Sequence, residues 1–363
     1  MSESEVTREG IERARPDTEA LTGAREPARQ GRGRHGRRGG QGRRGGEQPM
    51  VPRAEFGSYY GKPVLNQPVW KLYIPGYFFT GGLAAGSSLL ALGADATGNA
   101  PLRRQARYTA MGALLASTVL LIVDLGKPTR FHHMLRMVKP TSPMSVGSWI
   151  LFAYAPGAGG AAVSEWTGLL RPLGSLAGAW AALMAPPLAS YTAVLLADTA
   201  VPIWHEERLE LPFAFVGSAM AASGGLAMAA NDPADARPAR RLAVIGATVE
   251  TVATKVSKRR SGELGEVYDH GRARALRKVS DSCTLAGAAL VLLGGRRRPL
   301  AVAAGALLMA GSLTERLAVF EAGLASAKDP KYVVKPQRER IREHGPVRSS
   351  GPHITFAADN RRR

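Results

Sequence analysis

Ile74–Asp95 reads IPGYFFTGGLAAGSSLLALGAD, and no charged residue appears before the final aspartate. A segment needs about 20 mostly apolar residues to cross a bilayer as a helix. This stretch meets that length, and comparable ones recur along the chain. They lie at Tyr108–Leu125, Met144–Trp166, Leu173–Val201, Leu211–Ala230, Arg241–Val256, Val279–Gly294 and Pro299–Phe320. The sequence therefore predicts an all-α, polytopic membrane helical bundle of about eight spans. The sixth is the weakest, because Leu242–Thr254 is short and contains Glu250. Pro156 lies inside the third, and Pro186-Pro187 marks an expected break in the fourth. The mean hydropathy of the whole chain is slightly negative, because two polar, Arg-rich tails dilute the apolar centre. A soluble bundle is excluded, since apolar stretches this numerous leave little amphipathic surface for water.

Three segments follow: a basic N-terminal tail over 1–67, a transmembrane domain over 68–325 and a basic C-terminal tail over 326–363. Arg32–Gly46 reads RGRHGRRGGQGRRGG. It cannot bury apolar area and is predicted to be disordered. No aromatic residue is interleaved for base stacking, so it reads as a solvated tail with no nucleic-acid partner. An even span count puts both termini on one side. Of the 48 Lys and Arg residues, 37 fall on that side and 10 on the other, with Arg316 inside the last span. The positive-inside rule then predicts cytoplasmic termini in the cell membrane. The first 70 residues contain no signal-peptide core. A single Cys283 excludes a disulfide framework and a cysteine-ligated iron–sulfur cluster in this chain.

Ionisable groups inside spans are costly and so mark function. Asp124, Asp198, Glu250, Asp281, Glu315 and Arg316 all fall in the half of the bilayer nearer the termini, which predicts a polar pocket opening there. The opposite half offers mainly Asp95 and Glu165. Gly82 and Gly86 make a small-xxx-small face for a neighbouring helix or a flat ring. Tyr77 and Tyr191 each place a phenol in an apolar span, where it must find a partner. None of the seven histidines lies deep in a span, which argues against a bis-His haem. No metal site is expected. His132, His133 and His205 lie near the boundary, suited to proton exchange. In the loop after the second span, Phe131, Met134, Leu135 and Val138 follow i, i+3, i+4, i+7 and predict a short amphipathic helix. Ser142-Pro143 predicts an N-cap and first turn for the third span.

Three stretches together resemble the NrfD/PsrC family, the membrane subunits of polysulfide reductase-type molybdoenzymes. They are Tyr77-Phe-Phe-Thr-Gly-Gly-Leu-Ala-Ala-Gly86, Asp124-Leu-Gly-Lys-Pro-Thr-Arg-Phe131 continuing through Lys139–Trp149, and Tyr191–Asp198 through Pro202-Ile-Trp204. The resemblance covers roughly residues 68–325. It implies a haem-free, quinone-binding subunit, for menaquinone or ubiquinone, that is not catalytic alone. It also implies two partners: a four-cluster ferredoxin-like iron–sulfur subunit, and beyond it a molybdenum or tungsten bis-pterin catalytic subunit. Carried onto this chain, Tyr77 takes a quinone-contact position where some relatives have His. Ile74 replaces a polar residue of some relatives, and Tyr191 falls within one residue of a family quinone contact. Gly82 and Gly86 border that site. Asp124 and Asp198 are then proton-path residues, with His132 and His133 at the entrance. The residues also admit a secondary transporter or a passive membrane anchor. No clear repeat between 74–201 and 211–320 favours the transporter.

Overall fold

The computed structural model describes residues 64, 65, 68, 70–125, 127–294 and 297–344. The predicted disorder of Arg32–Gly46 lies outside the described residues. Residues Leu65–Lys328 form one compact helical unit. Its long helices are α1 (Tyr73–Ala96), α2 (Ala100–Asp124), α3 (Pro143–Thr167) and α4 (Arg171–Ala197). After a short α5 (Pro202–Glu206) come α6 (Leu211–Ala230), α7 (Arg237–Arg260), α8 (Gly271–Gly294) and α9 (Arg298–Lys328). A separate unit contains α10 (Lys331–His344). Among the described residues six helices are long and apolar enough to cross a membrane: α1, α2, α3, α4, α6 and α9. With regular secondary structure that is all helical among the described residues, the chain is a multi-pass membrane bundle.

The sixth and seventh expected spans became α7 and α8. Both are 24 residues long and extend beyond the expected bounds, but they are too polar to qualify by composition. They nevertheless run antiparallel beside true spans. Gly217 of α6 faces Glu250 of α7, and Gly224 faces Ala239 and Ala243. Gly311 of α9 faces Ser280 and Thr284 of α8, and Gly287 of α8 faces Ala304 and Leu308. Consecutive helices thus pair as hairpins, forming two four-helix groups, α1–α4 and α6–α9. The most buried spans, α1 and α6, meet between the groups.

Small residues set the spacing. A Cβ built on Gly246 would stand 2.4 Å from the Ala221 nitrogen, and one on Gly217 would stand 2.5 Å from the Glu250 nitrogen. Apolar burial cannot drive helices together in lipid, so such close approach and its van der Waals contact do the work. At the face opposite the start of α1, Arg103 and Arg107 at the start of α2 bridge Asp95 of α1 and Glu165 of α3 at 3.0–3.3 Å. The two acidic residues expected on that side thus form one network with two arginines.

Three local expectations are corrected. The loop after α2 is a 3-10 helix over Pro128–Leu135, not an amphipathic α-helix. A three-residue turn throws the 3.6-residue stripe out of line, and Phe131 and Val138 are exposed. The Pro186-Pro187 pair does not break α4, which runs continuously over Arg171–Ala197; proline is tolerated inside a membrane helix where its neighbours cover the carbonyls it leaves free. Ser142 precedes α3 as expected, but its hydroxyl does not cap. Ser145 does the local work, donating to the Met137 carbonyl at 3.1 Å and accepting from the Lys139 amide at 3.0 Å.

Gly246→Val should force α6 and α7 apart and lower stability by about 1–3 kcal/mol, the usual range for overpacking. Thermal unfolding in detergent or nanodiscs measures this. An unchanged transition would mean that the α6–α7 contact does not set the fold.

Candidate functional site

Helix α1 brings Tyr77 against α4. Tyr77 and Tyr191 are both buried, at 3% and 7% exposure, with ring centroids 6.4 Å apart. Tyr77 also packs on Phe78, which packs on Phe215 of α6. Tyr191 is seated by a glycine: a Cβ on Gly147 would lie 2.3 Å from its ring. Gly147 belongs to the PMS-x-GSW stretch, so this part of the pattern makes room for the Tyr191 ring.

Beside this pair lies an apolar cleft of about 640 Å³ between the start of α3, the end of α4 and the start of α6. Its walls include Val146, Ile150, Pro187, Tyr191, Val194 and Phe213. Its size falls in the usual range of small-molecule sites, about 300–1,000 Å³. All three helix ends belong to the face from which α1 sets out, called here the terminal face. The cleft can take a flat apolar ring, with the Tyr191 phenol in its wall.

The other expected site residues fall differently. Gly82 and Gly86 do not face the cleft. A Cβ on Gly82 would meet Arg316 and Ala219, and one on Gly86 would meet Ser223 Oγ and the Ala219 carbonyl. The space beside them is filled by α6 and α9, so they serve helix packing and leave no room for a ring. Asp124 ends α2 at the terminal face, within the electrostatic reach of Lys71. Asp198 is exposed just after α4, two turns beyond Tyr191. His132 and His133 are exposed on the 3-10 turn, with ring centroids 4.3 Å apart. The expected common pocket is therefore divided. Asp124 and Asp198 sit at the terminal face of the first group, while Glu250, Glu315 and Arg316 are enclosed in the second.

Several polar groups lie outside the residues singled out from the sequence. Tyr154 of α3 is fully buried, and its hydroxyl donates to the Ala84 carbonyl at 2.9 Å and pairs with Ser88 Oγ at 2.7 Å. Glu207, between α5 and α6, is buried and accepts from Ser257 Oγ at 2.7 Å and from Tyr268 OH at 2.8 Å. The acidic run Glu206-Glu207 with Glu210, on a face otherwise rich in Lys and Arg, is the sequence signal that marks it. Trp204 packs fully buried between Trp70 and Phe320, and its indole N–H donates to the Val319 carbonyl at 2.7 Å. It thus fixes α5 on α9, a structural role for part of the Pro202-Ile-Trp204 stretch. Among the described residues, no group of three or more His, Cys, Asp and Glu could hold a metal ion.

This bundle, with its tyrosine-walled cleft, is the architecture of an integral membrane subunit. Residues 63–240 match the family described as "Polysulphide reductase, NrfD". Over that region, from the entry of α1 to the start of α7, the chain belongs to the NrfD family, the membrane subunits of polysulphide reductase-type complexes. The match is shorter than the 68–325 resemblance and covers both tyrosines and the cleft. No curated protein matches the chain significantly.

Burial pushes the Glu207 carboxyl above its ordinary value near 4.5, with the neighbouring Glu210 adding to the rise. The bonds from Ser257 and Tyr268 and the charge of Arg277 oppose it. The Tyr268 phenol is also raised, by desolvation first and then by the Glu207 charge. A raised folded value means that the fold binds this proton more tightly than the unfolded chain does. The Glu207 contribution to stability is therefore full below about pH 4.5 and is lost as pH rises through the higher folded value. Glu207→Gln should flatten that part of the stability-against-pH curve, whereas Glu207→Ala should destabilise at every pH by orphaning Ser257 and Tyr268. An unaltered pH profile in the Gln variant would show that Glu207 does not titrate in this window.

Proposed function

We propose that the protein is the haem-free, quinone-reactive membrane subunit of a multi-subunit oxidoreductase. The observation that carries this reading is the buried Tyr77–Tyr191 pair beside an apolar cleft of about 640 Å³ at the terminal face. A quinone of the menaquinone or ubiquinone type supplies two-electron, two-proton chemistry when bound. The chain supplies the rest. Val146, Ile150, Val194 and Phe213 exclude water from the ring, and the Tyr191 and Tyr77 phenols offer hydrogen bonds to carbonyl oxygens. Asp124 and Asp198, at the terminal-face ends of α2 and α4, are the groups nearest to bulk water along those helices. They carry protons between the site and the surface, and His132 and His133 exchange them with solvent.

Membership of the NrfD family supports the remaining parts of the assignment. The electron partner is a four-cluster ferredoxin-like iron–sulfur subunit, joined to a molybdenum or tungsten bis-pterin catalytic subunit. It docks on the terminal face, where the loop over 127–142 and the basic end of α7 and basic start of α8 lie. The charge bias supports a cytoplasmic location for that face and both termini, with the bundle in the cell membrane. The three segments 1–67, 68–325 and 326–363 remain the proposed division of labour, with only the central one embedded.

Tyr77→Phe and Tyr191→Phe should each lower quinone turnover by about 3–10-fold, the loss of one hydrogen bond, without disturbing assembly of the purified complex. Tyr154→Phe removes a phenol that is already committed to Ala84 and Ser88, so turnover should stay near wild type while thermal stability falls. Wild-type turnover in both Tyr77 and Tyr191 variants would remove the quinone site from this cleft.

A further inference from the structure

The second helix group encloses acids for which the quinone reading has no use. Glu250 of α7 and Glu315 of α9 are 4% and 2% exposed, and Arg316 is 1% exposed. Glu250 Oε1 accepts from Thr284 Oγ1 at a long 3.4 Å, and its Oε2 has no hydrogen-bond partner. Glu315 Oε2 also has none, although Arg316 Nη1 stands 3.6 Å away. The guanidinium spends its donors elsewhere: on Ser218 Oγ, on Ser312 Oγ and carbonyl, and on the Phe215 carbonyl.

The other charges around the pair are mostly matched. Arg277 of α8 pairs with Asp281 at 3.3 Å, and Arg260 of α7 with Glu210. At the rim Lys258 pairs with Asp269 at 3.7 Å. Glu207 is bonded by Ser257 and Tyr268 and lies in the field of Arg277. Lys255, Arg274 and Lys278 are exposed and face water. From α1 the contact is uncharged Gly82. Glu250 and Glu315 lie in each other's field and in that of the buried Arg316 guanidinium, with Arg277 at longer range already shared with Asp281 and Glu207. Like charges there cannot both ionise cheaply, so one carboxyl must be neutralised.

A route to water exists. A cavity of about 270 Å³ is lined by Glu250, Thr284, Tyr268 and Glu207, and it reaches the exposed Lys255 and Lys278. Glu315 lies outside that lining, on a hollow of about 10 Å³ shared with Glu207, Ser257 and Arg277, room for one water at most, so Glu250 is the member open to the cavity. We infer that Glu250 and Glu315 form a proton-binding site, which holds one exchangeable proton against the charge of Arg316 and trades it with the terminal face through this cavity. The inference does not depend on the Tyr77–Tyr191 cleft. Only a proton moves, from solvent to a carboxylate oxygen and back.

The full chain in lipid nanodiscs, treated with dicyclohexylcarbodiimide over a pH series, tests the site. This reagent adds to protonated buried carboxyls, and peptide mass mapping locates the adduct. The adduct should form on Glu250 or Glu315 and decline at least about tenfold across two pH units. Glu250→Gln and Glu315→Gln should each abolish labelling of the remaining partner, because one carboxylate is then neutralised by Arg316. An infrared difference spectrum between acidic and alkaline pH should show a protonated-carboxyl band that either variant removes. Absence of both adduct and band would overturn the proposal, as would undiminished labelling of the partner in either variant. Labelling suppressed by sodium or potassium at constant pH would also overturn it, since the site would then bind a metal cation.

Discussion

In lipid, helices gain nothing from leaving water for one another, so something other than apolar burial must hold this bundle together. Here it is backbone contact at glycine. Gly217 and Gly246 bring α6 and α7 into contact, Gly225 and Gly305 do so for α6 and α9, and Gly157 does so for α3 and α4. Side chains would fill these crossings, and every polar group in the interior depends on the resulting spacing. Arg316 reaches Gly82, Ser218 and Phe215 at once because α1, α6 and α9 meet so closely. Tyr191 reaches the Tyr77 side of the bundle because Gly147 leaves space for its ring.

The same constraint separates two functions. Between α3, α4 and α6 lies an apolar cleft with the Tyr191 phenol in its wall, suited to an uncharged ring. The second helix group encloses carboxyls, a guanidinium and a water route, suited to a proton. Between them runs an aromatic series: Arg316 over Phe215 at 5.0 Å, Phe215 against Phe78 at 6.1 Å, then Phe78 against Tyr77 at 5.3 Å. No hydrogen-bonded path is required for the buried cation to be felt at the cleft, because a low-dielectric interior transmits its field.

The fold class was legible because a membrane crossing writes itself as length and apolarity. Six spans follow from that signal alone. Helices α7 and α8 are too polar for a strict composition rule because charge crowds their ends: Arg237, Arg240 and Arg241 open α7, Lys255, Lys258, Arg259 and Arg260 close it, and Arg272, Arg274, Arg277 and Lys278 open α8; within them Glu250 is buried and lines the cavity. The 3-10 turn was misread because an i, i+3, i+4, i+7 pattern is equally available to a chain that never completes an α-turn. Tyr77 and Tyr191 could be singled out because a phenol in a span must find a partner, but their 6.4 Å approach depends on Gly147, which leaves room for the Tyr191 ring. Gly82 and Gly86 had two readings, a ring or a helix, and only the neighbours of α1 decide for the helix. Glu207 and Tyr268 lie outside the spans, so a search restricted to intramembrane charge passes over them.

The central claim is that a flat redox carrier occupies the cleft between α3, α4 and α6. Photolabelling of the purified complex with an azidoquinone, with and without excess unlabelled quinone, tests it most directly. The account predicts competitor-sensitive adducts on peptides spanning Pro143–Ile150 and Pro186–Val194. Adducts confined to the opposite face, around Arg237–Arg241, or labelling indifferent to competitor, would contradict it.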